Sequence, residues 1–84
     1  MATVKVRHEQ GGGYVEEGTV TVNGTPYAIS GGPVFIDPPS GECTVVVHCT
    51  EPGSYNEGVK AGVGWDFNEE GCESLEIWLD GIEP

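Results

Sequence analysis

Basic side chains are what this chain has least of. Lys5, Arg7 and Lys60 are its only lysines and arginines, set against 14 Asp and Glu, and its net charge is −11 over 84 residues. That balance repels nucleic acid and anionic membrane, so neither is expected as a direct partner, and it attracts basic proteins. No apolar run comes near the ~18 residues that a membrane-spanning helix needs. The first ten residues hold no apolar signal core, so the expected compartment is the cytoplasm. Cysteine is sparse and odd in number, at positions 43, 49 and 72. Reduced thiols are the simplest reading; one disulfide with a spare thiol stays open if the protein is exported.

The acid is spread unevenly. Residues 1–41 carry two cations against four carboxylates, a net of −2; residues 42–84 carry one against ten, a net of −9. From Asp66 onward there are seven carboxylates and no Lys or Arg. Gly and Pro together make 20 of the 84 residues, but they fall between short apolar runs as punctuation. A folded domain with many turns is expected, with enough length for one modest core.

Strand signals recur along the chain. Residues 3–7 alternate, with Val4 and Val6 on one face. Residues 19–23 alternate again and end in Asn23-Gly24, the dipeptide best suited to a type I′ hairpin turn. Residues 25–30 return, and Pro26 suits only an edge strand. Residues 34–36 are a short apolar piece. Residues 43–49 form the strongest strand, with Cys43, Val45, Val47 and Cys49 on one face and Thr44, Val46 and His48 on the other. Residues 61–67 place Val63, Trp65 and Phe67 together, opposite Gly62, Gly64 and Asp66. Residues 73–80 fit two patterns. As a strand, Leu75, Ile77 and Leu79 face inward and Trp78 outward; as a helix, Leu75, Trp78 and Leu79 share a stripe. Eight residues are short for a helix, so a strand is expected. The fold class is therefore all-β, a small antiparallel sandwich or barrel of six or seven short strands in one domain, residues 1–84.

Chemical motifs are weak. Cys43, His48, Cys49 and Cys72 include zinc-ligand types, but zinc sites use paired ligands close together on a loop, and His48 faces away from its neighbours. Asp66, Glu69, Glu70 and Glu73 do not follow the order of a calcium loop. The stretch from Gly53 to Gly58 has P-loop glycine spacing, yet Val59-Lys60 follows and Glu57 would repel phosphate. Gly11-Gly12-Gly13 lacks the spaced pattern of a dinucleotide site. There is no nucleophile elbow, and His48 and Cys49 point apart as strand neighbours. Asn23-Gly24-Thr25 matches a glycosylation triplet, but the hairpin accounts for it. No metal, cofactor or catalytic role is expected.

Binding of a basic protein is the better expectation. The candidate partner-binding residues are Asp66, Glu69, Glu70, Glu73, Glu76, Trp78 and Asp80. The carboxylates would meet Lys and Arg, and an outward Trp78 would serve as an anchor. In size and charge the chain resembles the small acidic proteins that phages use against restriction or CRISPR systems. That likeness implies an inhibitor covering a nucleic-acid-binding surface in the host cytoplasm. Residues 19–26, Thr-Val-Thr-Val-Asn-Gly-Thr-Pro, and 38–47, Pro-Pro-Ser-Gly-Glu-Cys-Thr-Val-Val-Val, resemble the PEGA class of small surface β domains. That second likeness, like a virion-associated role, implies a structural module in which homo-oligomerisation is open.

Overall fold

A computed structural model describes residues 1–80; residues 81–84, with Glu83 of the acidic tail, lie outside the described part. Among the described residues seven strands are formed: β1 (Ala2–Arg7), β2 (Gly18–Val22), β3 (Thr25–Ile29), β4 (Val34–Ile36), β5 (Cys43–Cys49), β6 (Lys60–Trp65) and β7 (Ser74–Trp78). No helix occurs among the described residues, and none is long and apolar enough to cross a membrane. Within the segment 73–80, where strand and helix patterns compete, Ser74–Trp78 is a strand.

The strands make two sheets, ordered β4-β1-β7 and β3-β2-β5-β6. Their inner faces share one core, rich in valine because a β-branched side chain packs well on a pleated surface. Val4 and Val6 from the first sheet and Val20, Val45 and Val47 from the second belong to this core, together with Ile36, Phe67 and Leu79. Cys43 and Cys49 are buried there as free thiols, on the inward face that the alternation of β5 predicts.

One pairing departs from the antiparallel expectation. β1 and β7 run parallel, from Thr3 opposite Ser74 to Arg7 opposite Trp78. Each strand carries the chain to the other end of the molecule and each connection reverses it, so all odd-numbered strands run one way. β7 covers the side of β1 that β4 leaves open, and two odd strands side by side must be parallel.

Local chemistry fixes the register. Asn23 and Gly24 both take positive φ, 46° and 86°, as a type I′ turn requires. Asn23 also ties the hairpin tip to β5. Its N–H donates to the Thr44 carbonyl at 2.9 Å, and its Oδ1 accepts the Thr44 N–H at 2.8 Å. Gly18 is required by a close approach: a Cβ there would stand 2.3 Å from the His48 carbonyl oxygen. β3, which holds Pro26, is an edge strand as expected.

Candidate interaction site

Strict reversal of direction sorts the loops. Residues 23–24, 37–42 and 66–73 share one end of the sandwich with the chain start; residues 8–17, 30–33 and 50–59 share the other. At the first end two loops are joined, because the Asn68 side-chain amide donates to the Pro39 carbonyl at 2.8 Å. Loop 66–73 is held at its base by Trp65, whose indole N–H donates to the Cys72 carbonyl at 2.7 Å. Asp66 shapes its start by accepting the Asn68 N–H at 2.9 Å. Burial pushes the Cys43 thiol up, and the charges of Asp66 and Glu42 add to the effect. Both carboxylates therefore act on one point.

This apex gathers Asp37, Glu42, Asp66, Glu69, Glu70 and Glu73, with no Lys or Arg on either loop. All but half-buried Asp66 are exposed. Asp37 and Glu42 come from the weakly charged side of the sequence and were not among the candidates. The signal that finds them is strand parity: in a chain that reverses at every loop, alternate loops meet.

The other candidates are separated from this cluster. Glu76 lies in mid-strand on the outer face of its sheet, opposite Lys5 and beside Arg7. The Arg7 Nε–H donates to Glu76 at 3.2 Å, and the Trp78 indole N–H donates to the same oxygen at 2.6 Å. The indole hydrogen bond holds the Glu76 carboxyl below the usual range, and the charges of Arg7 and Lys5 add to it. Trp78 does face outward, 41% exposed. It sits in register with Arg7, so its surroundings are mixed in charge. Asp80 follows β7 toward the opposite end. The seven candidates thus divide into four at the apex, two on a sheet face and one at the far end.

The far end holds a polar cluster that spacing in the sequence does not reveal. His8 Nε2 lies 2.8 Å from Glu51, and its Nδ1 lies 3.0 Å from the Asn56 amide nitrogen and 3.4 Å from the Ser54 hydroxyl. Serine, histidine and carboxylate in a row suggest nucleophilic catalysis. The partnering argues otherwise. Asn56, buried at 2% exposure, makes the closer contact with Nδ1 and also donates to the His8 carbonyl at 3.3 Å. The Ser54 hydroxyl accepts the Asn56 N–H at 3.1 Å. An imidazole protonated on Nε2 satisfies every contact, so the cluster fastens loop 50–59 to the end of β1. Glu51 adds a further tie by accepting the Glu16 N–H at 2.8 Å.

Among the described residues, no three His, Cys, Asp or Glu side chains converge as metal ligands would. Comparison with protein-family models, curated proteins and solved structures returned no match. The likenesses to the PEGA class and to phage inhibitors gain no support from them.

Proposed function

We propose that this chain is a non-enzymatic acidic module that docks its apex on the basic surface of a partner protein. One observation carries the reading: six carboxylates stand on two loops joined by a hydrogen bond, and no Lys or Arg stands among them. Charges held on a rigid sandwich keep their spacing, so little ordering is lost when they meet cations. An inhibitor that occupies a nucleic-acid-binding surface is the role best matched to this pattern, since such surfaces present rows of Lys and Arg. It would act in the cytoplasm, in the infected host if phage-encoded. A structural module is the second reading. It rests on Phe35, 63% exposed on the outer face of β4, as an apolar contact for self-association.

The test is a pull-down from cell lysate, eluted by a salt gradient and identified by mass spectrometry. The variant carries Asp66→Asn, Glu69→Gln, Glu70→Gln and Glu73→Gln. A nucleic-acid-binding protein released only at high salt, and lost with the variant, is the expected result. Recovery of the chain alone, or of a partner indifferent to the four changes, removes the inhibitor reading.

A further inference from the structure

The two sheets do not close on each other at β6 and β7. Each of these strands is the last of its sheet, and between them lies a cleft of about 250 Å³ lined by Ala61, Gly62, Val63, Leu75, Glu76 and Ile77. On the other side β3 and β4 meet, guarded by Pro26 and Pro33. Val63 marks the opening. It belongs to the inner face, opposite Val45, yet it is 38% exposed because no strand among the described residues covers it.

Among the described residues, the backbone at this opening is unpaired on one side. In β5 the Thr44 carbonyl bonds toward Asn23, just past the end of β2, while the Cys49 N–H bonds toward Val59. Odd residues of β5 therefore bond to β6 and even ones to β2. Their register partners Ala61, Val63 and Trp65 use their N–H and C=O groups within the sheet. Gly62 and Gly64 point theirs outward from the edge. Neither has a side chain to shield those groups, and a Cβ on either would meet nothing closer than 3.5 Å. A bare, unpaired edge of this kind is a template for an added strand.

We propose that a basic, extended segment of the partner protein adds to β6 at Gly62 and Gly64 as an eighth strand. The proposal rests on the reading of a basic protein partner and names how that partner is held. Side chains on one face of an added strand repeat at about 6.7 Å. Alternate apolar residues of the segment would cover Val63 and Ile77. The intervening Lys or Arg would lie over the glycines, where the Glu42 carboxylate stands 3.5 Å from the Cβ position of Gly64. Lys60, at the other end of β6, repels cations and sets the polarity: basic residues belong toward Trp65, where the edge runs into the acidic apex. A second copy of the chain is disfavoured because it would bring together two molecules of net charge −11.

The probe is the peptide acetyl-Lys-Val-Lys-Val-Lys-amide, titrated into the full chain and followed by amide chemical shifts. The variant is Gly62→Pro. It removes an N–H that points out of the sheet, so the ladder is kept and a thermal melt should match the parent. Saturable binding with shifts at residues 61–64 and 75–77, weakened at least tenfold by Gly62→Pro or by N-methylation of the peptide, is expected. Binding that ignores both changes, with shifts confined to residues 66–73, overturns strand addition and leaves the acidic apex standing. Binding sensitive to Gly62→Pro but not to the four apex changes overturns the apex and keeps the edge. Concentration-dependent self-association through residues 60–65, or no peptide binding at low salt, also overturns the proposal.

Discussion

Replacing Asn56 by Ala should loosen the end of the sandwich opposite the acidic apex. Asn56 is the one buried polar side chain among the described residues, and its amide group holds both Nδ1 and the carbonyl of His8. Two side-chain hydrogen bonds are lost at about 1 kcal/mol each, and the void left by the amide adds a fraction more. Neither acceptor is fully replaced: Ser54 stands 3.4 Å from Nδ1, a weak substitute, and Tyr55 reaches the His8 carbonyl at the same distance. The expected loss is about 2–3 kcal/mol, against a total of roughly 4–13 kcal/mol for a domain of this length. A domain this small loses about 4–8 °C of Tm for each kcal/mol, so the melt should fall by roughly 10–20 °C. Circular dichroism at neutral pH reads it directly. Ser54→Ala, which removes only a long contact to His8 and a backbone acceptor, should cost less than half as much. A fall below about 3 °C for Asn56→Ala would show that the His8 cluster does not fasten loop 50–59.

Three further outcomes test other parts of the structure. Gly18→Ala forces a Cβ against the His48 carbonyl, a backbone atom that cannot swing away. It should cost about 2–3 kcal/mol and lower the urea midpoint by about 2 M, while Gly13→Ala, in open space, should change nothing measurable. With a disulfide-exchange reagent at neutral pH only Cys72 should react promptly. Burial pushes the thiols of Cys43 and Cys49 up and hides them until the chain unfolds, so a burst of two or three thiols would contradict the core. Glu76 titrates below its ordinary value of 4.5, so its contribution to stability is complete above that value and is lost as pH falls through the lowered folded value. Trp78→Phe removes the main cause. The Glu76 side-chain carbon shift should then titrate at a higher pH, and an unchanged midpoint would place the cause elsewhere.

Much of the fold is legible in the residues. Alternation in β1, β2 and β5 sets which side chains are buried, because period two admits no other assignment once valines must leave water. Asn23-Gly24 specifies its own turn. Residues 73–80 are ambiguous locally, since Leu75, Trp78 and Leu79 also fit a helical stripe; the free edge of β1 decides the matter by offering a ladder from Thr3 to Arg7. The parallel direction of that pair is not a local property. It follows from counting reversals, and then only when β7 is known to lie beside β1. The exposure of Val63 is equally non-local: alternation places it on the inner face, and the missing cover comes from the failure of the two sheets to meet.

The candidate site shows the same limit more sharply. A net of −9 over residues 42–84 describes the chain, not the surface, because a sandwich built by reversal interleaves the two halves. Arg7 reaches Glu76 across a separation of 69 residues and joins Gly12 and Tyr14 around the same guanidinium. The strand that looked most acidic therefore lies against two of the three cations of the chain. Asp37 and Glu42 travel the other way and join Asp66, Glu69, Glu70 and Glu73. Acidity gathers at both ends, where loops of like parity meet, and is relieved where β7 pairs with β1. A basic partner steered by the whole charge would be attracted from many directions; loops 8–17 and 50–59 also carry carboxylates without Lys or Arg, but Arg7 bonds Gly12 there and Lys60 adjoins loop 50–59, whereas no Lys or Arg borders the apex loops. The bare edge of β6 opens onto that apex through Gly64 and Glu42, so charge would guide the encounter and backbone pairing would fix its register.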